Sequence, residues 1–98
     1  MLPVSYTHLP KILLVAPIHV GKNVAKVKPY TNLRNSHEES LNLDREYSRI
    51  ARERGVAYLN AAHYAEPSKE DGVHMDPENH EKLGIAIAGK LREMLETA

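Results

Sequence analysis

The sequence contains no cysteine, no tryptophan and no phenylalanine. Without cysteine the chain can form no disulfide framework, no thiolate nucleophile and no cysteine-based metal site. It also lacks an excess of charge, because its 13 basic side chains balance its 13 acidic ones. The composition therefore offers no electrostatic footprint for nucleic acid or for an anionic membrane surface, and we predict neither as a partner.

Long hydrophobic runs are absent too. The longest apolar stretch runs only from Ile12 to Ile18, far short of the roughly 20 residues that a bilayer span requires. The first ten residues also lack the basic start, apolar segment and small-residue cleavage site of a secretory signal. We predict no membrane span and favour a cytoplasmic location.

The chain has the size and composition of one small folded domain. Its 98 residues are too few for two domains. Hydrophobic residues make up 42% and charged residues 27%, which is close to the globular average and argues against disorder.

The first ten residues are interpreted apart from the rest. Residues 4–9 read Val-Ser-Tyr-Thr-His-Leu, which resembles a translated sequencing adapter at every position. We therefore predict that residues 1–10 are a non-native, adapter-derived segment and that residues 11–98 are the C-terminal part of a single domain. The alternative is a genuine N-terminal arm, in which Pro3 and Pro10 bracket an extended segment.

Hydrophobic patterning predicts a strand and then a helix in the first half of the chain. The continuous apolar run over residues 12–16 is typical of a strand buried in a parallel sheet. A long loop over residues 19–35 follows. Ser36 and Glu39 have the spacing of a capping box, and Gly55 supplies a stop, so one helix is predicted between them.

The second half repeats the order of strand and helix. Residues 56–62 are short and mostly apolar, which predicts a second strand. After a polar loop, Asp76 and Pro77 provide a helix N-cap and a proline at the first helical position. The apolar stripe of the final helix consists of Leu83, Ile87, Leu91, Met94 and Leu95.

This arrangement leaves the predicted sheet incomplete. Two parallel strands and two helices cannot cover both faces of the strand over residues 12–16 or satisfy both of its edges. Either further chain lies upstream in the parent protein, or a homo-oligomer completes the sheet between copies.

Candidate site residues follow the carboxyl ends of the two strands, where open parallel sheets bind ligands. Ile18 and His19 follow the first strand, and we predict that they contribute to substrate binding. After the second strand, Asp71 and His74 lie three residues apart in a glycine-bearing loop. The carboxylate can then accept a hydrogen bond from the ring, fixing its tautomer while the other nitrogen takes a proton from a serine. A loop-capping aspartate beside a solvated histidine is the simpler alternative.

The segment from Asp71 to Gly84, DGVHMDPENHEKLG, resembles the last conserved block and terminal helix of the SGNH hydrolases, the GDSL-type esterases and lipases. The strand ending at Ala16 and the helix and strand over residues 47–62 have the order and spacing of that family. Residues 66–68, Glu-Pro-Ser, are similar to its bacterial arylesterase-like branch. The resemblance implies an α/β fold, namely the C-terminal β-α-β-α portion of a three-layer, flavodoxin-like parallel-sheet domain.

The resemblance also implies roles for two residues. His74 would be the general base and Asp71 would orient it, in a serine esterase that hydrolyses small-molecule carboxylic esters through an acyl-enzyme without a cofactor. The family's Gly-Asp-Ser block and its oxyanion-hole glycine and asparagine have no counterpart here. The chain's serines lack the glycine-framed turn that such a nucleophile needs; they are Ser5, Ser36, Ser40, Ser48 and Ser68. The 98 residues alone are therefore expected to be inactive.

The residue types present also suit two other functions. Imidazole and carboxylate ligands suit zinc, nickel or manganese, and candidates are His63, Asp71, His74, Asp76 and His80. Because their spacing matches no recognised metal motif, we predict no metal site. The alternative to an esterase is a non-catalytic module that uses its helices and exposed strand edge for oligomerisation or binding.

Overall fold

The computed structural model describes residues 11–22 and 35–96. The elements are β1 (Leu13–Ala16), α1 (Ser36–Ser40), α2 (Leu43–Arg54), β2 (Ala57–Asn60), a short 3-10 helix (Ala61–His63) and α3 (Pro77–Glu96). The predicted adapter-derived segment and most of the loop over residues 19–35 lie outside the described residues. The order of strands and helices confirms the predicted α/β fold class.

The two strands pair in parallel, with Leu13 opposite Ala57 and Ala16 opposite Asn60. Their carboxyl ends therefore lie side by side at one edge of the sheet. The first strand is confirmed. The second is shorter than predicted, because the Asn60 side chain accepts a hydrogen bond from the Ala62 N–H at 3.1 Å and the chain turns into the 3-10 helix.

The single helix predicted between Ser36 and Gly55 is in fact two helices. Ser36 is the first residue of α1 and Asn35 is its N-cap, so the N-cap lies one residue before the position that the predicted capping box gives it. α1 ends at Ser40, and the Asn42 N–H donates to the Glu39 carbonyl at 3.1 Å in a tighter turn. Serine and asparagine side chains compete with helical backbone bonds, which favours such an interruption.

The predicted end of the helix at Gly55 is confirmed. Gly55 has φ 67°, and its N–H donates to the Arg52 carbonyl while the Val56 N–H donates to the Ala51 carbonyl. These two bonds are the Schellman arrangement. Glycine is needed here because side chains disfavour the left-handed region.

We expect Gly55→Ala to lower the free energy of unfolding by about 1–2 kcal/mol. An added Cβ would meet no atom within 4 Å, so the loss would come from the backbone conformation alone. The matched control is Gly89→Ala within α3, where a Cβ also meets nothing and alanine should stabilise the helix by about 1 kcal/mol. Urea denaturation of both variants checks the prediction, and an unchanged midpoint for Gly55→Ala would contradict it.

The buried core is small and consists mainly of alanine. Its apolar members are Ala16, Ala51, Leu59, Ala61 and Ala65. The final helix is confirmed, yet none of its described residues is fully buried. Leu83, Ile87 and Met94 are half-buried, whereas Leu91 and Leu95 are exposed. The predicted apolar stripe is thus only partly covered.

Exposed apolar side chains are not confined to that stripe. Ile12, just before β1, is 56% exposed, and Ile85 on α3 is 66% exposed. Within residues 11–22 and 35–96 the sheet contains only β1 and β2. In the same part of the chain, no helix combines the length and apolarity needed to cross a membrane.

Candidate active site

The Asp71 carboxylate makes two kinds of contact in the loop between the 3-10 helix and α3. Its Oδ1 accepts hydrogen bonds from the backbone N–H of Val73 at 2.8 Å and of His74 at 2.9 Å. Its Oδ2 lies 2.5 Å from Nδ1 of the His74 ring. One oxygen therefore shapes the turn while the other holds the imidazole, so the two alternatives that the sequence left open, a loop cap and a carboxylate–histidine pair, occur together.

These contacts determine the charge of Asp71. The His74 ring, followed by the N–H groups of Val73 and His74, holds the pKa of the Asp71 carboxyl well below its usual range. Because the carboxylate is ionised and can only accept, Nδ1 of His74 must carry the proton that joins them. In the neutral ring, Nε2 then has the lone pair that can accept a proton from a substrate or a nucleophile.

Glycine at position 72 makes this turn possible. Gly72 has φ 73° and is buried, a combination that disfavours any larger residue. Its N–H donates to the Ser68 carbonyl at 2.8 Å, and the Ser68 N–H donates to the His74 carbonyl at 2.6 Å. The loop from Ser68 to His74 is thus closed on itself by backbone bonds.

The start of α3 anchors the other side of the loop. Asp76 Oδ1 accepts from the Asn79 N–H at 2.9 Å, which confirms Asp76 as the N-cap ahead of Pro77. Asn79 also donates through its side chain to Asp76 Oδ1 and accepts from the Glu66 N–H at 2.9 Å. The backbone and side-chain bonds from Asn79 to Asp76 lower the pKa of the Asp76 carboxyl. Together with the Glu66 bond, they fix both ends of the loop against one helix turn.

Two cavities adjoin His74. The larger, about 870 Å³, is an open, mostly polar cleft formed by residues of the 62–82 segment, including Asp71 and His74. The smaller, about 330 Å³, is apolar, and its lining comprises Val15, Pro17, Ile18, Ala61, Val73, His74, Met75, His80 and Leu83. Both volumes fall in the range of small-molecule pockets.

The two predicted substrate-binding residues have different positions. Ile18 lines the apolar cavity together with His74. His19 is half-buried and lines neither of these two cavities. The structure therefore brings Ile18 to the candidate site, while His19 stays a prediction without a contact there. His63 and Met75, at either end of the loop, contribute to the polar cleft.

Three of the serines are held by local bonds. The Ser40 hydroxyl donates to the His37 carbonyl, and the Ser48 hydroxyl donates to the Arg45 carbonyl. The Ser68 hydroxyl accepts from the Glu70 N–H at 3.0 Å. These contacts agree with the interpretation of the three hydroxyls as structural, and Ser5 lies outside the described residues.

Side chains of the metal-ligating types do not converge in the described part of the chain. Among residues 11–22 and 35–96, no group of three or more histidine and acidic side chains is arranged to hold a metal ion. The candidate site is accordingly the Asp71–His74 pair with its two cavities.

The sequence matches no family model and, at significant similarity, no curated protein. Solved structures share its fold. A carbohydrate acetylesterase from Sinorhizobium meliloti is 27% identical and has a TM-score of 0.76 over 87% of this chain. The inhibitor-bound form of the M. smegmatis aryl esterase is 25% identical with a TM-score of 0.73 over 86%. Another solved structure is 44% identical with a TM-score of 0.82 over 88%.

The chain spans 39% of the length of each of these three proteins. The similarity extends over 86–88% of this chain. The chain therefore has the mixed α/β fold of the C-terminal portion of SGNH-type esterases.

Proposed function

We propose that this chain is the C-terminal part of a serine esterase, in which His74 is the general base and Asp71 orients it. The observation that carries the proposal is the 2.5 Å contact between Asp71 Oδ2 and His74 Nδ1 at the carboxyl edge of the parallel sheet. Solved structures that are similar to this chain include esterases. Residues 11–98 would form this part, and residues 1–10 would be the adapter-derived segment.

The arrangement suits acyl transfer. Nε2 of His74 would remove the proton from a serine hydroxyl as its oxygen attacks the ester carbonyl, and the Asp71 carboxylate would stabilise the resulting imidazolium. The imidazolium would then return the proton to the departing alkoxide, leaving an acyl-enzyme. Water, activated by the same ring, would release the acid. The nucleophilic serine and the oxyanion-hole donors would come from outside these 98 residues, and no cofactor is required.

The substrate class proposed is a small carboxylic ester. The neighbours' names point to acetyl groups on carbohydrates and to aryl esters. The apolar cavity of about 330 Å³ beside His74 has room for a short acyl or aryl group. The polar cleft that His74 also lines can accept a hydroxyl-rich alcohol.

A chimera tests this function. Residues 11–98 would replace the matching C-terminal segment of the S. meliloti acetylesterase, and hydrolysis of p-nitrophenyl acetate would be compared with that of the 98-residue chain alone. We expect saturable turnover and labelling by a fluorophosphonate probe in the chimera, because it contains the donor enzyme's serine. The isolated chain should remain at the no-enzyme rate, since it supplies a base without a nucleophile.

Two results would contradict the proposal. A folded chimera without turnover would show that His74, oriented by Asp71, does not serve as the general base. Labelling of the isolated chain would show that it has a nucleophile of its own. The oligomeric state of the isolated chain, measured by sedimentation, and its unfolding in urea add a further comparison. A monodisperse oligomer that unfolds cooperatively would instead favour the non-catalytic oligomerisation module.

A further inference from the structure

The segment that follows β1 is bound by side chains of the short helix α1. The Val20 N–H donates to Ser40 Oγ at 2.9 Å, and Nδ1 of His37 lies 2.6 Å from the Val20 carbonyl oxygen. Because a carbonyl oxygen can only accept, Nδ1 of His37 is the donor. Both backbone groups of Val20 are therefore held by α1.

Ser40 supports this contact from within the protein. It is only 3% exposed, and its hydroxyl donates to the His37 carbonyl at 2.7 Å while it accepts from Val20. A hydroxyl has one proton and two lone pairs, so both bonds can exist at once. Ser40 thus fixes the backbone of His37 relative to the residue that the His37 ring binds.

Two planar peptide groups connect His37 to the loop from Ser68 to His74. The Val20 carbonyl and the Gly21 N–H belong to one peptide group, and the Gly21 N–H donates to the Gly72 carbonyl at 2.7 Å. The Gly72 carbonyl and the Val73 N–H belong to a second. The orientation of one end of a planar peptide fixes that of the other.

The second peptide group reaches Asp71 directly. The Val73 N–H donates to Asp71 Oδ1 at 2.8 Å, and Asp71 Oδ2 holds the His74 ring. A continuous series of hydrogen bonds therefore runs from the His37 ring through two peptide groups to the Asp71 carboxylate. Hydrogen bonds in such a series polarise one another.

We propose that His37, supported by Ser40, is a positioning residue for the Asp71–His74 pair. It holds the Val20–Gly21 peptide, which holds the Gly72–Val73 peptide, which sets the direction in which Asp71 faces the ring. The catalytic meaning of this arrangement rests on the function proposed above, but the positioning itself can be measured without turnover.

The measurement is the tautomer of His74 in the 98-residue chain. Nitrogen-15 NMR of the neutral ring distinguishes a proton on Nδ1 from one on Nε2, and the bond to Asp71 selects Nδ1. We expect the Nδ1–H form to predominate in the unaltered chain. Loss of correct positioning should transfer the population to the Nε2–H form.

Two amide substitutions at His37 give the sharpest comparison. His37→Asn places an amide N–H₂ where Nδ1 lies, so it should keep the Nδ1–H form of His74. His37→Gln has the same functional group but places it near the position of Nε2. In this variant, His74 should therefore lose its Nδ1–H form. Equal tautomer populations in these two variants would overturn the proposal.

The serines provide a matched second pair. Ser40→Ala and Ser48→Ala each remove a hydroxyl that donates to the carbonyl three residues earlier, but only Ser40 also accepts from Val20. We expect Ser40→Ala to lose the Nδ1–H form and Ser48→Ala to keep it. If the buried Ser40→Ala variant does not fold, the His37 pair decides.

The outcomes separate this proposal from the esterase assignment. If the tautomer of His74 changes with the residue at position 37 but the chimera has no turnover, the positioning role of His37 is retained and the esterase function is rejected. If the chimera is active but the tautomer of His74 is the same in all the position-37 variants, only the positioning role of His37 is rejected. A predominant Nε2–H form in the unaltered chain would also overturn the inference.

Discussion

The substitution His74→Ala in the chimera is expected to lower kcat about a millionfold, which is the scale of losing the base from a serine hydrolase triad. Without the imidazole, the serine hydroxyl has no acceptor for its proton and the departing alkoxide has no donor. Folding should be largely unaffected, because the His74 side chain is 79% exposed. Initial rates with p-nitrophenyl acetate, measured alongside far-UV circular dichroism, check both expectations.

The control for this prediction is His63→Ala. It removes another exposed imidazole that lines the same cleft, so kcat should remain close to that of the parent chimera. Imidazole added to the buffer should restore part of the activity of His74→Ala but not alter His63→Ala. Retention of the parental kcat by His74→Ala would end the assignment of His74 as the base.

Asp71→Asn should lower kcat by about 10⁴-fold, less than His74→Ala. Asparagine can still accept from the Val73 and His74 N–H groups through its oxygen, so the turn should survive. Its amide nitrogen would then face His74 Nδ1 and donate to it, which stabilises the tautomer with the proton on Nε2. The ring could no longer take a proton from serine, and the stabilising negative charge would be absent.

The same substitution at Asp76 is the matched control. Asp76 caps α3 through Oδ1, and asparagine is as good an N-cap as aspartate. Asp76→Asn should therefore leave kcat nearly unchanged, with a similar melting temperature. Equal losses in Asp71→Asn and His74→Ala would contradict the ranking, because they would mean that the carboxylate does as much as the base itself.

The strands, the last helix and the Asp71–His74 contact could be anticipated from the sequence because each depends on local chemistry. Continuous apolar residues specify β1, and Asp76 with Pro77 specifies the start of α3. The Asp-Gly-Val-His segment brings carboxylate and ring together within one turn. Their catalytic roles, unlike their contact, remain predictions.

The contact between α1 and the segment after β1 could not be anticipated, because it joins residues that are distant in sequence. Ser40 is 20 residues from Val20, and nothing in the spacing of the residues around Ser36 and Glu39 indicates that the serine hydroxyl binds another segment. The contact of His37 with Val20 is equally hidden. Hydrophobic periodicity indicates which face of a helix is apolar. In these contacts, however, the side chains of Ser40 and His37 bind backbone atoms of Val20, and every residue has such atoms, so the sequence does not mark the partner.

The dependence on backbone atoms bears on how this region can change over evolution. Val20 and Gly72 each contribute a carbonyl oxygen, and Gly21 and Val73 each contribute an N–H, so many substitutions at positions 20 and 73 would preserve every one of those bonds. Conservation at these two positions would then be low even under strong selection for the geometry. The constraint would appear in an alignment only at the side chains that end the series, His37, Ser40 and Asp71, and at Gly72 with its positive φ.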